Sequence, residues 1–132
     1  MSEDRNDAGR AISIGIDIES ISRVRTAVEK EGFSRRVFTR GELRYALGRK
    51  APERHLAGRF AAKEACAKAL GTGFIEGLGL KDIEVVNGAA PGEGRRPALK
   101  LHAGAKRLLG GRKAHLSIAY EEDLALAVVV LE

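Results

Sequence analysis

Leu56-Ala57-Gly58-Arg59-Phe60-Ala61-Ala62-Lys63-Glu64-Ala65-Cys66-Ala67-Lys68-Ala69-Leu70-Gly71-Thr72-Gly73 is the stretch around which this 132-residue chain is organised. Ala57 to Leu70 is rich in strong helix formers and free of proline, so it predicts a helix. Gly71-Thr72-Gly73 closes it, with a glycine suited to the left-handed position after the last turn. At about 100° per residue, Leu56, Phe60, Ala67 and Leu70 fall on one apolar stripe. Ala62, Ala65, Cys66 and Ala69 cover most of the remaining circumference with small apolar groups. A helix apolar nearly all round is a buried one. Its charges then have two readings. Glu64 and Lys68 form either a solvated i,i+4 pair or, with Lys63, the charged mouth of a site.

Outward from this helix, composition bounds the answer. The length fits one domain with a real core. Charged residues at 31% and hydrophobic residues at 44% describe an ordinary soluble globular chain. Tryptophan is absent and aromatics reach only 5%, which disfavours a base-stacking platform for single-stranded nucleic acid. One cysteine, Cys66, excludes an intramolecular disulfide framework and points to a reducing compartment. Met1 to Ala11 is polar, with no secretory h-region, and is expected to be a disordered tail ahead of one domain spanning residues 12–132. No run approaches 18 apolar residues, so no membrane span is expected and the protein is placed in the cytoplasm. The net charge is +5. The surplus concentrates between Arg23 and Arg59, where eleven Arg or Lys face four Glu. Such a segment suits an acidic partner or, on the bland reading, is a solvated helical surface.

Ile12-Ser13-Ile14-Gly15-Ile16-Asp17-Ile18 alternates strictly and predicts a strand with its isoleucines toward the core. Its other face carries Gly15, open to close approach, then Asp17 and Glu19. Ser20 or Ser22 caps a helix reaching roughly Lys30, with Ile21, Val24 and Val28 inward and Arg23 and Arg25 outward. Phe33 to Phe38 reads as a basic connector. Thr39-Arg40-Gly41-Glu42 resembles a capping box opening a helix from Glu42 to Leu47. After loop residues Phe74 to Leu80, strands are expected over Ile83 to Val86 and Ala98 to His102, joined by a flexible loop from Asn87 to Pro97. A short helix over Ala103 to Leu109 precedes strands Ala114 to Tyr120 and Leu124 to Leu131. Those last two form an antiparallel hairpin. The class is α+β, antiparallel strands packed with a long central helix.

Asp17 and Glu64, with Glu19 as a third, make an all-oxygen set suited to Mg²⁺. Zinc is disfavoured, since His55, His102 and His115 show no ligand spacing. Arg59, Lys63 and Lys68 share a helix with Glu64, and Gly71-Thr72-Gly73 offers backbone N–H groups. Together these suit a pyrophosphate, although the Walker spacing is missing. His115 and Ser117 share one strand face, without a nucleophile elbow or partner acid at known spacing.

Gly15-Ile16-Asp17-Ile18-Glu19, the run Phe60 to Gly73, and His115-Leu116-Ser117-Ile118 resemble the motifs of the holo-acyl-carrier-protein synthases, the small bacterial 4′-phosphopantetheinyl transferases. The similarity runs in order from about Ile12 to Leu131 and includes Phe38-Thr39-Arg40-Gly41-Glu42-Leu43. The resemblance implies a transferase that moves the phosphopantetheine of coenzyme A onto a serine of an apo acyl carrier protein of fatty-acid biosynthesis. Adenosine 3′,5′-bisphosphate leaves. It further implies Mg²⁺ on Asp17 and Glu64, catalytic roles for Glu64 and Lys68, and coenzyme A contacts from Arg59, Lys63, Lys68, Gly71, Thr72 and His115. Arg23 and Arg25 would dock the acidic carrier, and the family assembles as a homotrimer with interfacial active sites. No nucleic acid or membrane enters. Two positions depart from the family pattern: Tyr120 replaces a second histidine, and Ser20 stands where an acid is usual while Glu19 lies one position earlier. A carrier-binding module without turnover and a nucleic-acid binder are the alternative classes.

Overall fold

The computed structural model describes residues 11–71, 78–88 and 96–132. Residues 1–10 of the tail expected over Met1 to Ala11, the tip of the Asn87–Pro97 loop, Thr72, Gly73 and residues 74–77 of the expected Phe74–Leu80 loop lie outside these residues. The chain runs β1 (Ser13–Ser20), α1 (Ile21–Val28), α2 (Phe33–Val37), α3 (Arg40–Leu47), α4 (Pro52–Leu70), a 3₁₀ turn (Leu80–Asp82), β2 (Ile83–Asn87), β3 (Pro97–Leu101), α5 (Ala103–Leu109), β4 (Ala114–Glu121) and β5 (Leu124–Leu131). The strands form a three-stranded antiparallel sheet ordered β1-β5-β4 and a separate β2-β3 hairpin.

Helix α4 crosses the inner face of the larger sheet. It begins five residues before the expected Ala57, because Pro52 at the first helical position supplies a preset φ and needs no hydrogen-bond acceptor. It ends at Gly71, whose φ of 88° is the left-handed conformation expected of it. Ala57, Ala61, Ala62, Ala65, Cys66 and Ala69 are buried against Ala125, Ala127, Val129 and Leu131 of β5 and their neighbours. Small residues on both sides let helix and sheet approach closely. The closest approach is at Gly15, where an added Cβ would overlap the carbonyl oxygen of Ala65.

That contact reverses one expectation. Ile12, Ile14, Ile16 and Ile18 do not face the core: they are 52 to 66% exposed, while Gly15 is buried. Strict alternation defines two faces but does not say which one is covered. Here the alanine-lined helix selects the side that carries glycine. The outward face continues through Leu126, Val128 and Val130 of β5 onto His115, Ser117 and Ala119 of β4, by register.

Two smaller differences have local causes. Phe33 to Val37 is a short helix instead of a connector, with Val37 and Phe38 buried in the second core cluster. Leu80, expected in a loop, opens the 3₁₀ turn that Asp82 closes by accepting from the Gly79 amide at 3.2 Å. The capping box at Thr39 is present as expected, with Glu42 N–H donating to Thr39 Oγ1 and Thr39 N–H to Glu42 Oε1. Ser20 is the N-cap of α1; its hydroxyl and that of Ser22 donate to Asp123, which ties the β4–β5 turn to that helix.

Candidate active site

Asp17, Glu19, Glu64 and Lys68 come together where β1 lies along α4. β1 places Asp17 and Glu19 on its inner face, two residues apart, and Gly15 lets the helix sit close enough for Glu64 and Lys68 to reach them. Lys68 Nζ donates to Asp17 Oδ1 at 3.1 Å and to the Ile16 carbonyl at 3.0 Å, leaving its third N–H on the solvent side. Lys68 is therefore paired with Asp17 across the fold, in place of the i,i+4 pairing with Glu64.

The electrostatics record the crowding of like charges. Burial pushes Glu19 up to about 8, helped by a hydrogen bond to Asp17 and by the charges of Asp17 and Glu64, with Lys68 opposing. Glu64 is raised by burial and then by Asp17, again opposed by Lys68. Asp17 Oδ2 is buried without a hydrogen-bond donor. Lys68 thus sits among three acidic side chains, of which Glu19 keeps its proton up to about pH 8, and a second cation would relieve the crowding of Asp17 and Glu64.

The donor set decides which cation fits. Among the described residues, no three His, Cys, Asp or Glu side chains converge into a metal cage. A full protein cage is what a structural zinc or calcium site needs. Mg²⁺ retains several waters and binds one or two carboxylates with substrate phosphates. The hard oxygens of Asp17 and Glu64, with Asp17 Oδ2 unsatisfied, fit that pattern.

The other expected site residues separate into three groups. Lys63 is not at the mouth of the site: it is fully buried, and its ammonium contacts Glu42 Oε1 at 2.8 Å and donates to the carbonyls of Leu80 at 3.0 Å and Ile83 at 2.6 Å. All three N–H groups are used, so Lys63 has none for coenzyme A. Position 63 lies one helical step, about 100°, from position 64, enough to turn the side chain toward β2 instead of β1. The Gly71 amide is likewise engaged, donating back to the carbonyls of Ala67 and Lys68 as the helix cap.

Arg59 lies on the same side as Lys63, in a small cavity of about 150 Å³ lined by Tyr45, His55, Asn87, Pro97, Ile118 and Tyr120. Its Nη2 donates to Asn87 Oδ1 at 2.6 Å, its guanidinium lies 4.2 Å from the Tyr45 ring centroid, and its buried Nε has no acceptor. Arg49 stands over Tyr45 and Arg54 over Tyr120. His55 is held below its ordinary pKa by burial, then by Arg59, Arg49 and Arg54. The cavity is strongly electropositive. Of these residues only Arg59 was anticipated; Tyr45, Asn87 and Tyr120 come from three different elements and share no sequence spacing.

His115 is on the outward sheet face, with Nε2 2.6 Å from Glu132 Oε2. By register it stands opposite Val130, which faces Ile14, whereas Asp17 shares its side with Ala127. Within one chain His115 and the carboxylates are therefore on opposite faces of the sheet. Arg23 and Arg25 are exposed on α1, as expected.

Comparison with known proteins shows the family to which this fold belongs. Residues 13–129 match the family model of the 4′-phosphopantetheinyl transferase superfamily. The chain belongs to that family and is an enzyme of the phosphopantetheinyl transferase class. It is 41% identical over 121 residues to a holo-[acyl-carrier-protein] synthase of Protochlamydia amoebophila, covering 90% of this chain and 96% of that one. To the holo-[acyl-carrier-protein] synthase of Shewanella piezotolerans it is 45% identical over 132 aligned positions, covering 92% and 98%. Among solved structures, the Bacillus anthracis holo-(acyl-carrier-protein) synthase in complex with CoA (3′,5′-ADP) superposes with a TM-score of 0.75 at 37% identity, covering 92% of this chain and 98% of that one. The Helicobacter pylori enzyme in complex with coenzyme A gives 0.77 at 31% identity, covering 90% and 99%. No helix of the described residues is long and apolar enough to cross a membrane.

Proposed function

We propose that this chain transfers the 4′-phosphopantetheine group of coenzyme A to a serine of an apo acyl carrier protein of fatty-acid biosynthesis, releasing adenosine 3′,5′-bisphosphate. The observation that carries this reading is the juxtaposition of Asp17, Glu64 and Lys68 across the β1–α4 contact. Asp17 and Glu64 would hold Mg²⁺, which when bound neutralises charge on a pyrophosphate. Lys68 adds a fixed positive charge, with one N–H still available to a phosphate oxygen. Phosphoryl-type transfer depends on positioning and charge neutralisation more than on covalent catalysis. The carrier serine forms a bond to the β-phosphorus, the bond to the leaving bisphosphate breaks, and the serine proton departs to a base the described residues do not single out.

The electropositive cavity around Arg59 suits the phosphate-bearing nucleotide of coenzyme A. Exposed Arg23 and Arg25 suit an acidic carrier. The apolar face of exposed Ile14, Ile16 and Ile18 and half-buried Leu126, Val128 and Val130 supports a homotrimer with interfacial sites, because such a face ordinarily buries itself. It would also bring His115 of one copy toward the site of another. Sedimentation at micromolar concentration should give three times the chain mass; a monomer would remove this part. Buried Cys66, with its thiol pushed up to about 12 by burial, is compatible with a cytoplasmic setting.

The decisive test is mass spectrometry of apo carrier protein incubated with coenzyme A and Mg²⁺. A gain of one phosphopantetheine group is expected, and Glu64→Ala should abolish it. No gain with several carriers, or wild-type turnover by the variant, would overturn the reading.

A further inference from the structure

The buried pair Glu42–Lys63 has no part in the transfer chemistry, yet it occupies the position next to Glu64. Both side chains are fully buried. Glu42 Oε1 accepts from the Thr39 amide at 2.9 Å and from Lys63, and Glu42 Oε2 accepts from the Val85 amide at 2.8 Å. Lys63 adds its two bonds to the carbonyls of Leu80 and Ile83, and its ammonium lies 5.9 Å from the Phe38 ring centroid. Every donor of Lys63 is satisfied, and the network joins α3, α4, the 3₁₀ turn and β2 at one point.

The structure assigns Glu42 and Lys63 as positioning residues that set the rotation of α4 and thereby hold Glu64 against Asp17. On one side of the helix, the Gly15–Ala65 contact fixes how closely α4 approaches β1. A contact between two small groups limits distance but resists rotation weakly. On the other side, three directional charge-assisted bonds from Lys63 limit rotation. Since residue 63 precedes residue 64 directly, a rotation that breaks the Lys63 bonds moves the Glu64 carboxylate away from Asp17. Displacements of about 1 Å at such sites can change rates on the order of 100-fold. Burial favours the neutral amine of Lys63, and the Glu42 carboxylate opposes that. An ammonium with a carboxylate and two carbonyl acceptors is a lock of fixed geometry.

This inference rests on the reading that Asp17 and Glu64 bind a divalent cation, and its test uses binding of Mn²⁺ alone, followed by water-proton relaxation. Three variants are compared with wild type: Glu42→Gln, the double variant Glu42→Gln with Lys63→Met, and Leu56→Ala. The double variant removes both charges, so no buried charge is left unpaired and folding is favoured over either single loss. Leu56→Ala opens a cavity in the second core cluster on the same helix and leaves the network intact. The expected result is Mn²⁺ binding about tenfold weaker in both network variants, with wild-type affinity in Leu56→Ala despite its lowered Tm. Glu42→Gln, which retains the shape of the side chain, supplies the result should the double variant not fold. Wild-type affinity in a folded network variant would overturn the inference. So would equal weakening in Leu56→Ala, since the effect would then follow stability alone. Wild-type protein that binds no Mn²⁺ would instead overturn the metal reading, and this inference with it.

Discussion

Two lysines on α4, five residues apart, meet opposite fates. Lys63 is fully buried, with three acceptors including Glu42. Lys68 is half-exposed, with Asp17 and one carbonyl as acceptors and one N–H to spare. Lysine followed by an acid or an apolar residue reads alike at both positions. The difference is what lies opposite each face of the helix: β2 and α3 on one side, the glycine-bearing face of β1 on the other. A buried ammonium with no remaining donor is structural. An exposed one beside crowded carboxylates is available for chemistry.

This contrast can be broken by substitution. Lys68→Met should lower the transfer rate about 100-fold or more, while a pair whose lysine is half-exposed contributes on the order of 1 kcal/mol to stability. Rate and urea denaturation of the same preparation check both halves; a large stability loss would erase the contrast. Lys63→Met should destabilise by about 3 to 5 kcal/mol, because it leaves the Glu42 carboxylate buried and unpaired. A mild denaturation shift would mean that Lys63 is not the lock described. Gly15→Ala comes next. Its Cβ would overlap backbone that cannot step aside, so a loss of about 1 to 3 kcal/mol is expected, with reduced activity as α4 moves off Asp17. Unchanged thermal unfolding would refute the close contact. The smallest effect concerns Cys66 on the same helix. With its thiol near 12 and its side chain buried, it should resist a thiol reagent at neutral pH until denaturant is added. Rapid labelling of the folded protein would place Cys66 at the surface.

Much of the fold was legible in the chain. The central helix, the capping box at Thr39, the glycine stop at Gly71 and the hairpin of β4 and β5 each follow from local propensity or period. The carboxylates Asp17 and Glu64, with Lys68, were also legible as a set, because the residue types and the family resemblance agreed. Less legible was everything set by facing. The isoleucines of β1 were expected inside and are outside. Lys63 was expected on phosphate and is in the core. The cavity of Tyr45, His55, Arg59, Asn87 and Tyr120 draws on two helices and two strands, and no spacing announces it.

By itself, then, the sequence determined most of the helices and strands, the stop of the central helix at Gly71 and the capped start at Thr39, and which chemical groups are available to the site. Those properties depend on interactions within a few residues along the chain. Only the tertiary structure decided which face of β1 receives α4, which of two lysines is buried, and which carboxylates share a lysine. Those outcomes depend on close packing between elements distant in sequence. At Gly15 the deciding fact is steric: helix backbone can come this close only where there is no side chain, and that single contact turns Asp17 inward and leaves four isoleucines exposed.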